Sequence, residues 1–182
     1  MIISLTGYTK GLGKDIFDTL NKSFIVKGFS RREGWDIKEV DKIIPHINDT
    51  DVFINNAYYK NYQSELFLKV FDLWKYTDKF IININSSIVI DGNSDSEYYH
   101  NKVKLKDTID KSLSETPDKT VKIMNLYPST LSTNYRYKNL NKIDNSYITS
   151  LIEWSLKQPF NVELRDVSIY PTIRENKNKT LL

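Results

Sequence analysis

A tyrosine and a lysine four residues apart, Tyr98 and Lys102, begin a segment with a helical pattern. Side chains at this spacing share one face of a helix, so the phenol and the ammonium group can meet. Tyrosine has a pKa of about 10 and is a poor base at neutral pH, but a nearby ammonium stabilises the phenolate and lowers that pKa. Tyr98 could then give a proton to a carbonyl oxygen or take one from an alcohol.

Chance pairing is the competing interpretation, because the chain is rich in lysine and has 12 tyrosines. Tyr99 is the alternative phenol, but Val103 stands four residues after it and cannot supply the cation. His100 lies on another face of the same helix, and we interpret it as a surface residue rather than a base. Tyr98 and Lys102 therefore remain the preferred pair.

Ser86 follows a predicted strand over Phe80–Asn85. Ligands of open α/β sheets bind at the carboxyl ends of the strands, so a hydroxyl at this place can hydrogen-bond a substrate oxygen. Ser87 is the alternative, but the strand register ending in Ile84 and Asn85 favours Ser86. The acidic residues Asp91, Asp95 and Glu97 that come next are interpreted as solvated turn residues.

A glycine-rich turn connects the first predicted strand, Ile2–Thr6, to a helix. Its glycines, Gly7, Gly11 and Gly13, allow a tight turn and a close approach to a pyrophosphate. The helix that follows offers free N–H groups and the positive end of its dipole. An ordinary glycine-rich turn is the alternative, but the strand and the helix that a phosphate cradle requires are both present, which favours a dinucleotide.

Basic residues follow the second predicted strand, at Arg31 and Arg32, and Lys10 adds a cation in the glycine turn. An acidic residue at this strand end would bind a ribose 2′-hydroxyl, whereas arginine accommodates a 2′-phosphate. The planar guanidinium can bind two phosphate oxygens at once. A solvated basic loop is the competing interpretation, but next to a dinucleotide turn these cations favour NADP over NAD.

Asp36 and Ile37 leave two possibilities open. In the family that the motifs described below resemble, an acidic–hydrophobic pair at this place contacts adenine. Alternatively, Asp36 caps the next helix, and Glu39 completes a capping box.

Strand-like runs alternate with amphipathic segments, which predicts an α/β fold with a mostly parallel sheet in one domain over residues 1–172 and a polar tail over 173–182. A wide apolar stripe, Leu66, Phe67, Val70, Phe71 and Trp74, suggests burial between layers or at a subunit interface. The predicted strands are Ile2–Thr6, Ser23–Phe29, Asp51–Asn55, Phe80–Asn85, Val121–Leu126 and Val162–Ile169.

Composition excludes several classes of function. The 182 residues suit one soluble domain, and no apolar run approaches the ~20 residues of a membrane helix. The chain has no cysteine and two histidines, which argues against thiolate chemistry and a His-rich metal site, so we expect no metal. A net charge of +3 is too weak to indicate nucleic-acid binding. The N-terminus has no secretory signal pattern, so we expect a cytoplasmic protein.

Further motifs follow the glycine turn in a characteristic order, and together they resemble those of the short-chain dehydrogenase/reductase family from Met1 to about Thr172. Two positions depart from the family pattern, because Tyr58 and Ser129 stand where glycine is usual. The motifs are Thr6–Gly13, Asp51–Ala57, Ile81–Ser86, Tyr98–Lys102, Pro128–Thr133 and Asn161–Thr172.

This resemblance implies a Rossmann-type doubly wound fold and an NADP-dependent oxidoreductase acting on a small-molecule carbonyl or alcohol, with no nucleic acid or membrane as partner. It assigns Ser86, Tyr98 and Lys102 as the catalytic set, with Lys102 also touching the nicotinamide ribose. The cofactor-binding residues that it implies are Gly7, Thr9, Lys10, Gly11, Leu12, Gly13, Ser30, Arg31, Arg32, Asp36, Ile37, Asn55, Asn56, Ala57, Tyr98, Lys102, Pro128 and Thr133.

The chain is short by family standards. Only 23 positions run from Arg32 to Asn55, where the family fits a helix, a strand and a second helix. We therefore expect one helix to be lost and a short strand to lie near Trp35–Ile37. An asparagine that many members carry in the helix after Ala57 has no clear match, so we expect a shallow, open site in which Lys102 exchanges protons with solvent directly.

Relatives with this pattern often pair through the two helices that carry the wide stripe and Tyr98, so a homodimer or homotetramer is expected. Two rivals to the oxidoreductase remain. One is a non-catalytic NADP(H)-binding sensor or interaction protein on the same fold, because fold does not determine function. The other is an isomerase or epimerase that keeps its cofactor bound.

Overall fold

A computed structural model describes residues 1–92, 94–133 and 141–172 of the chain. They form a six-stranded sheet in the order β2-β1-β3-β4-β5-β6, and every neighbouring pair of strands is parallel. The strands are β1 Ile2–Thr6, β2 Ile25–Phe29, β3 Val52–Asn55, β4 Phe80–Ile84, β5 Lys122–Pro128 and β6 Asp166–Ile169, and the helices are α1 Gly11–Leu20, α2 Val40–Asn48, α3 Tyr62–Trp74, α4 Ile88–Asp91, α5 Glu97–Glu115 and α6 Asn145–Leu156.

The six predicted strands are all present, with ends that differ by a few residues, and the doubly wound α/β class is confirmed. The segment Ile88–Asp91, which follows Ser86 and Ser87, forms a short helix. The tail predicted over 173–182 lies outside the described residues.

Two hydrophobic cores cover the two faces of the sheet. Because strand side chains alternate between faces, Val52 and Ile54 of β3 join the core under α1 and α6, whereas Phe53 joins the core under α2, α3 and α5. The four central strands are buried over nearly their whole length, as expected when helices cover both faces of a parallel sheet. This packing holds the carboxyl ends of β1, β3, β4 and β5 rigidly at one edge.

The wide stripe on α3 is buried inside the chain. Helix α3 packs against α2 and α5 as well as against the sheet, and all five stripe residues are at most 2% exposed. Three packing partners explain the width of the stripe, so it carries no argument for the expected dimer.

The segment between β2 and β3 is shortened as predicted, because it contains one α-helix, α2, after a single 3₁₀ turn at Arg31–Glu33. The short strand predicted near Trp35–Ile37 is wrong, because these residues form a loop. Trp35 packs edge-on against Phe29 at 5.4 Å and against His46 at 4.8 Å, and Ile37 is buried. These contacts direct the loop toward the core, so it does not run alongside β2 as a further strand. Strand β2 therefore forms an edge of the sheet.

Among the described residues, no helix is long and apolar enough to cross a membrane. Within the same ranges, no three His, Cys, Asp or Glu side chains lie together in a way that could hold a metal ion.

Candidate active site

The glycine turn has the backbone that its sequence predicts. Gly7 and Gly11 have φ values of +74° and +56°, in the left-handed region that favours glycine. Gly13 is required for a different reason, since a Cβ at this position would lie 2.2 Å from the carbonyl oxygen of Gly7. The turn therefore packs directly against the first turn of α1.

Hydrogen bonds tie this turn to the end of β3. The hydroxyl of Thr6 accepts from the backbone N–H groups of Asn56 and Ala57, both at 3.0 Å. The side-chain amide of Asn56 donates in return to the carbonyl oxygens of Thr6, at 3.0 Å, and Gly7, at 3.3 Å. Asn56 thus fixes the strand ends against each other.

A cavity of about 380 Å³, the basic cavity, opens beside the glycine turn. It brings Lys10, Arg31 and Arg32 together, as the sequence predicts. Its remaining lining includes most of the predicted cofactor residues, namely Gly7, Thr9, Leu12, Gly13, Ser30, Asp36, Ile37, Asn56 and Ala57.

Asp36 does not cap helix α2. The helix begins at Val40, and Glu39 holds the N-cap position without a side-chain hydrogen bond. The carboxylate of Asp36 instead accepts from the backbone N–H of Lys38 at 3.1 Å, and Asp36 lines the basic cavity. Of the two interpretations of Asp36, the capping box is therefore wrong.

A second cavity of about 1100 Å³, the hydroxyl cavity, contains Ser86, Tyr98 and Lys102 together. Pro128 and Thr133 also line it, as predicted. Leu12, Asn56 and Tyr58 line both cavities, so the two adjoin each other. The structure thus brings the three predicted catalytic residues, which come from two separate segments of the chain, to one place beside the glycine turn.

Lys102 is only 3% exposed. Its ammonium donates to the side-chain oxygen of Gln63 and to the carbonyl oxygen of Ile84, both at 2.8 Å. No carboxylate in the described part of the chain pairs with it. Burial without a counter-charge favours the neutral amine and lowers the pKa of Lys102 to about 7.

Gln63 is a site residue that the motifs do not reveal. Its side-chain N–H₂ donates to the carbonyl oxygens of Asn55, at 2.8 Å, and Ile84, at 3.0 Å. Because both donors are engaged, the amide oxygen must face Lys102. The one signal in the sequence is a glutamine one turn before Phe67 on the buried stripe, since a buried amide requires polar partners.

The pKa of Tyr98 is raised, not lowered as the sequence predicts. Burial of the phenol is the largest cause of the raised pKa, an interaction with Ser86 acts in the opposite direction, and an electrostatic interaction with Tyr58 adds a smaller rise. The ammonium of Lys102 lies 5.7 Å from the centre of the Tyr98 ring and does not offset the effect of burial on the pKa of the phenol. At neutral pH the phenol therefore carries its proton, which is the form that donates to a carbonyl.

Asn55 lines neither cavity, and its place along the cofactor stays a prediction. Its side chain is buried in the sheet, where it begins a row of amides that we call the amide ladder. Asn55 donates to Asn83 at 3.1 Å, Asn83 to Asn125 at 3.0 Å, and Asn125 to Asp166 at 3.0 Å.

Two further predicted positions need comment. Gly11 lines neither cavity, but its left-handed backbone shapes the turn, and a Cβ there would lie 3.9 Å from the Thr133 hydroxyl. Asp91, interpreted as a solvated turn residue, lines the hydroxyl cavity and accepts a 3.0 Å hydrogen bond from the Tyr170 hydroxyl. Asp91 is exposed, as that interpretation expects, although it is the last residue of α4 rather than part of a turn.

Comparison with solved structures identifies the fold of the chain. No family model and no curated protein matches the chain. Solved structures do match. A short-chain dehydrogenase/reductase from Vibrio parahaemolyticus superimposes with a TM-score of 0.75 at 14% identity, over 93% of this chain and 98% of that one. The chain has the fold of the short-chain dehydrogenases/reductases.

Two other matches were solved with a nicotinamide cofactor. A short-chain dehydrogenase from Burkholderia cenocepacia in complex with NADP gives a TM-score of 0.74 at 15% identity, covering 93% of this chain and 88% of that one. The 3-alpha-hydroxysteroid dehydrogenase from a Pseudomonas species, complexed with NADH, gives 0.74 at 11% identity, covering 93% and 95%. Both cofactor types thus occur on this fold.

Proposed function

We propose that the protein is an NADP-dependent oxidoreductase that interconverts a carbonyl and an alcohol by hydride transfer. The convergence of Ser86, Tyr98 and Lys102 in one cavity beside the glycine turn carries this proposal. Tyr98 is the general acid in reduction and the general base in oxidation. Structural neighbours solved with NADP and with NADH support a nicotinamide cofactor.

The residues of the basic cavity fit such a cofactor. The close packing of Gly7 against Gly13 leaves no Cβ between a pyrophosphate and the backbone N–H groups at the start of α1. Lys10, Arg31 and Arg32 provide cations at the cavity wall, which suits the 2′-phosphate of NADP. When bound, the cofactor supplies or accepts the hydride.

The chain's own residues manage the proton. The raised pKa keeps the Tyr98 phenol protonated, so that it can donate to the oxygen of a carbonyl held in the hydroxyl cavity. The Ser86 hydroxyl, which lines the same cavity, orients that oxygen beside Tyr98. Gln63 fixes the position of Lys102 behind the phenol.

The experiment is a panel of carbonyl compounds offered with NADPH, followed at the absorbance of the reduced cofactor, for the native protein and for Tyr98→Phe. This substitution removes one oxygen, so the fold and cofactor binding should survive. Loss of general acid–base catalysis should lower turnover by roughly 10²–10⁴. Tyr99→Phe is the matched control and should retain turnover. Full turnover in Tyr98→Phe would show that another group transfers the proton.

The alternative is a non-catalytic NADP(H)-binding protein on the same fold. One observation favours it, namely that Lys102 is turned toward Gln63 and Ile84 and is almost completely buried. Tight NADPH binding without turnover of any compound in the panel would make this alternative the better assignment.

A further inference from the structure

Tyr58 stands directly after the Asn56–Ala57 segment that is tied to the glycine turn, and it lines both cavities. Its side chain is 39% exposed. The ring lies edge-on to that of Tyr98, with centres 4.9 Å apart and planes at 73°. Its hydroxyl accepts from the side-chain amide of Asn101 at 3.3 Å.

The ammonium of Lys102 has three N–H donors, and two of them bond to Gln63 and Ile84. The nitrogen lies 5.5 Å from the centre of the Tyr58 ring and 5.7 Å from that of Tyr98, within the range of cation–π contacts. The two rings thus flank the third donor. Lys102 is only 3% exposed although it lines the hydroxyl cavity, so a hydroxyl group there has little access to this donor.

Tyr58 is the ring that is free to move. Tyr98 sits on the first turn of helix α5, whose backbone hydrogen bonds hold the residue in place. Tyr58 lies outside any helix or strand, and its long hydrogen bond with Asn101 lies on the exposed side. A rotation about its side-chain bonds would open the ammonium without moving the backbone.

We propose that Tyr58 is a movable cover over Lys102, which must turn aside before ribose hydroxyls of a bound dinucleotide can reach the ammonium. The identity of this ligand rests on the proposed function, whereas the cover does not. A protein whose binding-competent form is a minor population binds its ligand more weakly by that fraction. Tyr58 therefore lowers the affinity for NADPH, and its removal should raise it.

Labelling of lysines by an amine-reactive reagent at pH 8, read by peptide mass spectrometry, tests the cover without any cofactor. Burial lowers the pKa of Lys102 to about 7, so access rather than protonation limits the labelling of this amine in the native protein at pH 8. Tyr58→Ala should raise the labelling rate of Lys102 by about tenfold or more relative to Lys104, a lysine on the same helix. Tyr58→Phe, which retains the ring, should label like the native protein.

Equal labelling of Lys102 in the native protein and in Tyr58→Ala would overturn the cover. The dissociation constant of NADPH is measured on the same variants, and Tyr58→Ala should bind several-fold more tightly. Weaker binding in Tyr58→Ala would overturn the proposal as well, because the ring would then be part of the binding surface. Faster labelling together with no NADPH binding in any variant would uphold the cover and refute the dinucleotide, so the two failures are distinguishable.

Discussion

Replacing Lys102 with methionine should remove a pH dependence from the stability of the protein. The pKa of this lysine is about 7 in the folded state against 10.5 for an ordinary lysine. Between these values the unfolded chain binds a proton that the folded chain does not, so the contribution of Lys102 to stability rises with pH. At about 1.4 kcal/mol per pH unit, the ammonium costs up to about 5 kcal/mol at low pH.

The change with pH is a cleaner test than the absolute difference. Methionine fills a similar volume but leaves the amide oxygen of Gln63 without a hydrogen-bond donor. An unpaired buried acceptor lowers stability by about 1–3 kcal/mol at any pH. Because of the titration of Lys102 alone, the free energy of unfolding of the native protein should rise by about 3.5 kcal/mol relative to that of Lys102→Met between pH 7 and pH 10. The same substitution should abolish turnover, because the proposed chemistry needs the ammonium.

The assay is urea unfolding at several values between pH 7 and pH 10, followed by tryptophan fluorescence. Lys106→Met, one turn further along α5, is the matched control. The pKa of Lys106 is raised, mainly by a hydrogen bond with Asp110. The contribution of Lys106 to the free energy of unfolding is therefore fully present below the ordinary lysine pKa and should not change from pH 7 to pH 9. A difference between native protein and Lys102→Met that does not change with pH would refute the buried, partly neutral lysine.

Two further predictions concern the cavities. Arg31→Ala should weaken NADPH binding by on the order of 1.5–3 kcal/mol and leave NADH binding unchanged, because only the 2′-phosphate loses a charge-assisted contact. Titration calorimetry with both cofactors measures the two affinities. Equal affinities of the native protein for NADPH and NADH would contradict the preference for NADP. Ser86→Ala should lower turnover with an unchanged dissociation constant for NADPH, whereas Ser87→Ala should retain turnover; the reverse pattern in steady-state assays would transfer the role to Ser87.

Local spacing was sufficient to predict the parts of the site that lie within one segment. The glycine turn needs positive φ values and a close packing that only glycine permits, so its sequence specifies its shape. Tyr98 and Lys102 share a helix face by periodicity alone. Ser86 follows from the position of a strand end.

Contacts between distant segments were beyond such reasoning. Gln63 meets Lys102 across 39 positions, and this contact depends on how α3 and α5 pack together. The direction of the Tyr98 pKa depends on burial, which a spacing of four residues does not report. The strand predicted at Trp35–Ile37 failed because an aromatic cluster with Phe29 and His46 competes with strand pairing.

The amide ladder has a consequence for the precision of the whole sheet. Its members are paired in register, Asn55 with Asn83, Asn83 with Asn125, and Asn125 with Asp166. A carboxylate can only accept, so Asp166 on the edge strand dictates which way each amide in the row points. A slip of one residue between two of these strands would place ladder side chains opposite apolar residues such as Ile82 or Leu126. Each buried donor left unpaired in this way costs about 1–3 kcal/mol. The amide ladder thus fixes the register of β3, β4, β5 and β6. The strand ends, and the residues that follow them, therefore keep fixed positions relative to one another along the strand direction.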